Sequence, residues 1–101
     1  MAKIGDSVGQ FLYKQTTADV LVKTGAGILH SIVISCNDAA PTAGTIDVYD
    51  NTEGSGTKIF SWTLTTTVFN PVSLVFDARF ETGLYIDFTT TADVSVTATY
   101  Y

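Results

Sequence analysis

The sequence predicts an all-β fold: an antiparallel sandwich of seven to eight strands, jelly-roll or immunoglobulin-like. Three observations predict it. Apolar residues alternate with polar or small ones in segment after segment, as in Ile32 and Ile34, Phe60, Trp62 and Leu64, and Leu84, Ile86 and Phe88. A period of two gives each strand one buried and one wet face. Turn residues separate these segments, and none keeps helical spacing over three turns.

Taken in order, Met1 to Thr17 forms an N-terminal arm or a first strand, and residues 18–101 form the sandwich domain. Phe11, Leu12 and Tyr13 either begin a strand or lie on a neighbour. A strand is expected over Asp19 to Thr24, ended by Gly25-Ala26-Gly27, since glycine tolerates positive φ. Ile28 to Cys36 is the longest apolar-rich segment and reads as central. The loop after it contains Pro41, which cannot sit in a central ladder. Thr45 to Asp50 is the next strand, and Asp50 to Gly56 is the richest turn in the chain. Lys58 to Leu64 and Val72 to Asp77 follow. Ala78 to Gly83 reads as a crossing connection, with Leu84 to Thr89 and Asp93 to Tyr100 completing the set. An eighth, N-terminal strand favours the jelly roll. The Cys–Trp–Cys pattern of immunoglobulin domains is absent, because Cys36 is the only cysteine.

Composition narrows the function. With 101 residues the chain has room for one core. Ten carboxylates against five basic side chains give a net charge of −5. Lys3, Lys14, Lys23, Lys58 and Arg79 are scattered, so neither nucleic acid nor an anionic membrane is an expected partner. One cysteine excludes an intrachain disulfide framework. Met1 to Gln10 has no apolar run, so no signal peptide is expected, and no stretch is long enough for a membrane span. Seventeen threonines suit half-exposed pleated surface that is polar yet uncharged.

Motifs for chemistry are weak. His30 shares the parity of Ile28, Ile32 and Ile34, so it is expected to face the core as a hydrogen-bonded structural histidine. Adjacent Ser31 points to the opposite face, so the two cannot form a nucleophile–base pair. Cys36, also inward, reads as a small buried hydrophobe. Asp47, Asp50, Asn51 and Glu53 supply oxygen ligands, but without the alternating spacing of a calcium loop, so no metal site is expected. Asp50 and Asn51 read instead as side chains that close their turn. No glycine-rich phosphate loop occurs, no cofactor is expected, and the chain reads as no enzyme. Trp62 has core parity. Tyr49, Tyr85 and Tyr101 point outward, and with Phe11 and Tyr13 they are the interface candidates. Asp50, Asn51, Glu53 and Ser55 are the loop-tip candidates for an alternative role, recognition of a host glycan or receptor.

A family resemblance rests on four segments: Gly25-Ala26-Gly27-Ile28-Leu29-His30-Ser31-Ile32, Gly44-Thr45-Ile46-Asp47-Val48-Tyr49-Asp50-Asn51, Ser55-Gly56-Thr57 and Phe80-Glu81-Thr82-Gly83-Leu84. Over Val20 to Tyr100 the chain resembles small virion proteins of tailed bacteriophages that decorate or stabilise the head or sit on tail parts. The resemblance implies a virion component assembled in a bacterial cytoplasm and without an active site. It implies binding to a major capsid protein or another virion protein as a homo-oligomer, with a trimer favoured. Its motifs are turn and strand residues, which specify a fold more than an activity. Nothing in Met1 to Thr17 matches the arm by which many such proteins join the lattice.

Overall fold

A computed structural model describes residues 11–101, and Met1 to Gln10 lie outside the described part. Among the described residues eight strands form: β1 (Leu12–Thr16), β2 (Val20–Thr24), β3 (Gly27–Cys36), β4 (Gly44–Asp50), β5 (Thr57–Leu64), β6 (Val72–Phe80), β7 (Gly83–Phe88) and β8 (Val94–Tyr100). They build two four-stranded sheets, β1-β8-β3-β6 and β2-β7-β4-β5. All neighbours are antiparallel. Between consecutive strands the chain changes sheet every time except at the β4–β5 hairpin. That path is the jelly roll, not the immunoglobulin order. Leu12–Thr16 forms an integral edge of the first sheet.

The alternating apolar residues meet between the sheets. Leu29, Ile32 and Ile34 of β3 and Val94, Val96 and Ala98 of β8 face Ile46 and Val48 of β4 and Leu84 and Ile86 of β7; all are buried. Each large aliphatic side chain removed from water stabilises the fold by about 1.5–3 kcal/mol. Aromatics fill the side between β5 and β6. Phe60 and Phe76 meet edge to face at 5.2 Å, and Trp62 lies 6.3 Å from Phe69. Trp62 packs against the core, as its parity predicts.

Two expectations are corrected. Phe80 is not in a connection: β6 continues through Asp77 to Phe80, whose ring is fully buried. The connection to β7 shrinks to Glu81 and Thr82. The second correction is His30. Register shifts between Leu29 and Ser31 against both β6 and β8. The irregularity resets the parity, so Leu29 is buried while Ile28 is exposed and His30 is half-exposed on the outer side. Asp77, on β6 beside this shift, has φ 47°, a left-handed backbone that Asp tolerates better than most residues.

Hydrogen bonds between turn residues tie the two ends. At one end, Gly25 donates its amide to the Thr82 carbonyl at 2.8 Å, which joins two turns. Gly27 has no room for a side chain, since a Cβ there would lie 2.6 Å from the Phe80 ring. At the other end the Thr89-Thr90-Thr91 run bonds to the loop before β4. Thr45 donates its amide to Thr89 Oγ1 at 3.1 Å, and the Thr42 and Thr91 hydroxyls are 3.0 Å apart. These threonines are connectors between loops rather than simple solvent-side strand residues.

Candidate functional site

The outward positions of the strands sort into two faces of opposite character. On the first sheet, the register aligns Tyr13, Thr99, Ser31 and Val75 in one row across β1, β8, β3 and β6. Gln15, Thr97, Val33 and Ser73 form the next row, and Ser95 opposite Ser35 begins a third. None of these side chains carries a charge. Ser31 Oγ and Thr99 Oγ1 are 2.5 Å apart, and Asn37 donates to Ser95 Oγ at 2.7 Å. Hydroxyls therefore satisfy one another across strands, and Tyr13 and Val75 stand clear at 73% and 67% exposure.

A cluster closes one end of this face. The Phe11 ring stacks on His30 with centroids 4.3 Å apart, and Tyr101 meets Phe11 edge to face at 6.5 Å. His30 Nδ1 donates to Asp77 Oδ1. Residues next to or within all four strands of the sheet are thus linked, and the ionisable pairs His30–Asp77 and Arg79–Glu81 sit at the border of the face. His30 and Asp77 resemble two members of a triad, but the neighbouring Ser31 hydroxyl is engaged by Thr99.

The outer face of the second sheet is acidic. Ser61, Asp47 and Asp87 are aligned across β5, β4 and β7, with Asp19 beside β7. Asp47 is buried, accepts from Ser61 Oγ at 2.5 Å and lies 3.5 Å from Lys58 Nζ. Asp19 Oδ1 accepts the Phe88 amide at 2.6 Å. The Asp87 carboxyl is raised above its ordinary value by burial first, then by hydrogen bonding to the Asp19 carboxyl and by the charges of Asp19 and Asp47; Lys58 opposes this. Among the described residues, no group of three or more His, Cys, Asp or Glu is placed to hold a metal ion.

The predicted site residues divide accordingly. Phe11 and Tyr13 lie on the neutral face, and Tyr101 lies at its end. Tyr49 and Tyr85 are paired across β4 and β7 on the acidic face and are half-buried. Lys58 Nζ sits 5.6 Å from the Tyr49 ring centroid. The 51–56 loop folds back over this face, and a Cβ on Gly54 would lie 3.4 Å from the Tyr85 ring. Two of the loop-tip residues have structural duties. Asn51 bonds the Ser55 carbonyl at 2.7 Å and accepts the Thr52 amide at 2.8 Å, closing its own turn. Asp50 serves a different turn, accepting the amides of Glu81, Thr82 and Gly83. Burial pushes the Asp50 carboxyl up, but the three amides outweigh it and hold it below its ordinary value. Glu53 and Ser55 remain exposed.

Residues that single-strand reading missed are Thr97, Thr99, Val33 and Val75. Their outward parity was legible, but not that four strands set them side by side. In comparison with known proteins, the chain matches no family model, no curated protein and no solved structure.

Proposed function

We propose that this chain is a structural, non-enzymatic virion protein of a tailed phage, a head decoration or cement protein that docks on the capsid lattice. The observation that carries the reading is the uncharged centre of the first sheet's outer face. In a chain of net charge −5, the rows from Tyr13 to Val75 and from Gln15 to Ser73 offer tyrosine, threonine, serine, glutamine and valine with no carboxylate to strip of water, while Asp77 and Arg79 stand at the β6 border. Interface centres are depleted in charge and enriched in aromatic residues. The partners in this reading are the major capsid protein or another virion protein, together with further copies of the chain. The resemblance supplies the phage context, and the neutral face supplies the docking surface.

The loop-based alternative, recognition of a host glycan or receptor, draws less support. Asp50 and Asn51 are committed to turn closure, and Tyr49 and Tyr85 lie beside the folded-back loop. Electron micrographs of particles with and without the protein test the docking reading. Added protein is expected to give regular surface density. Thr97→Glu, at the centre of the neutral face, is expected to abolish that density while leaving the melting temperature unchanged. Particles of normal stability and unchanged surface after deletion of the protein would refute the cement role.

A further inference from the structure

The two sheets have four edges: β1 and β6 in the first, β2 and β5 in the second. Exposed edges invite pairing with another chain, and proteins blunt them with bulges, prolines and charge. Three of these edges are irregular. Register shifts occur between Leu21 and Lys23 in β2, opposite β6 at Leu29 and Ser31, and between Val48 and Tyr49 where β5 pairs with β4. β6 also carries the left-handed Asp77 and follows Pro71. By contrast, β1 keeps one unbroken register with β8 from Leu12 to Thr16. It contains no proline, and Lys14 is its one charged residue.

Its side chains are also left uncovered. Leu12 lies opposite Tyr100, on the side that faces the sandwich interior, yet it is 59% exposed. Tyr13 on the other side is the most exposed large hydrophobic residue described. Among the described residues, nothing pairs with the outer edge of β1.

We propose that β1 is the self-association edge, pairing antiparallel with β1 of a second copy about a two-fold axis at Tyr13. Self-complementarity selects this occupant and register. An axis at Lys14 would set two ammonium groups opposite each other, which is unfavourable. An axis at Tyr13 sets Leu12 of each copy opposite Lys14 of the other and stacks two tyrosine rings. It also lays the Lys14 stem of each copy over the exposed Leu12 of the other. The first sheets of the two copies then join into one continuous sheet, and their neutral faces become a single docking surface. A two-fold contact of this kind makes dimers rather than the trimer that the phage resemblance implies. The inference names the homotypic contact within the proposed role. Its test uses the purified chain without particles, so failure of the contact and failure of the phage role are separately visible.

Sedimentation of the full chain across a concentration series is expected to show a monomer–dimer equilibrium. In a Cys36→Ser background, Tyr13→Cys is expected to give a disulfide-linked dimer on mild oxidation, because directly opposed residues bring Cβ atoms close to disulfide range. Val75→Cys on the opposite edge, in the same background, is expected to form no disulfide-linked dimer under the same oxidation. Tyr13→Lys is expected to weaken dimerisation at least about tenfold. A monomer at every concentration would leave the edge to a strand of another protein and overturn the proposal. A trimer mass, equal cross-linking at positions 13 and 75, or an unaffected Tyr13→Lys variant would overturn it too.

Discussion

Asp50 Oδ1 accepts the backbone amide of Thr82 at 2.8 Å, across 32 residues of chain. The Glu81 and Gly83 amides converge on the same carboxylate. One side chain at the end of β4 thereby organises the tight passage from β6 in one sheet to β7 in the other. Gly83 is buried there, and a Cβ on it would lie 2.8 Å from the Asn51 carbonyl oxygen.

Replacing Asp50 by Ala is expected to destabilise the fold by about 1–3 kcal/mol, since three amides lose a charged acceptor. The wild-type contribution also depends on pH. The native carboxyl sits below its ordinary value of 3.8, so the unfolded chain binds the proton more readily. The contribution is therefore fully present above the ordinary value and fades as pH falls through the lowered native one. Urea unfolding of wild type and Asp50→Asn between neutral and acid pH checks this, and the gap between them should close in acid.

Asp87 works in the opposite sense. Its native carboxyl is raised by burial and by Asp19 and Asp47, so the folded chain holds the proton more tightly. Its favourable contribution is complete below the ordinary value and is lost as pH rises through the raised native one. Asp87→Asn is expected to stabilise the protein at neutral pH by about 0.2–1 kcal/mol, the scale of relieving facing like charges on a sheet. Equal or lower stability of the variant at neutral pH would refute the like-charge account.

Phe80→Ala is expected to cost about 3–5 kcal/mol, because the ring is fully buried between the sheets. If Phe80 lay in an exposed connection, the same change would move stability by less than about 0.5 kcal/mol. Denaturant midpoints separate the two outcomes.

His30→Ala is expected to loosen β1 in particular. It removes both the Phe11 stack and the bond to Asp77, interactions worth about 1 kcal/mol or more together. Hydrogen exchange should speed up at Leu12 to Gln15 with little change at Ile46 to Val48. Uniform acceleration across the chain would show that the cluster supports the whole fold rather than the edge.

What the sequence by itself determined is the inside and the outside of most strands. Alternation is local: adjacent Cβ atoms on a strand point to opposite faces whatever the strand pairs with. Ile32, Ile46, Leu84 and Val96 are therefore placed inward, and Tyr49 and Tyr85 outward, by the alternation alone. The tertiary structure decided which outward residues share a face, because the backbone ladder can join any two strands and carries no side-chain label. It put Tyr13 beside threonines and Tyr49 in the sheet of the aspartates. The register shift at His30 was likewise invisible in sequence, since one extra residue in a ladder leaves the composition unchanged and reverses the parity behind it. Ile28 and His30 turned outward for that reason, and Phe80 turned inward because β6 continues past Asp77.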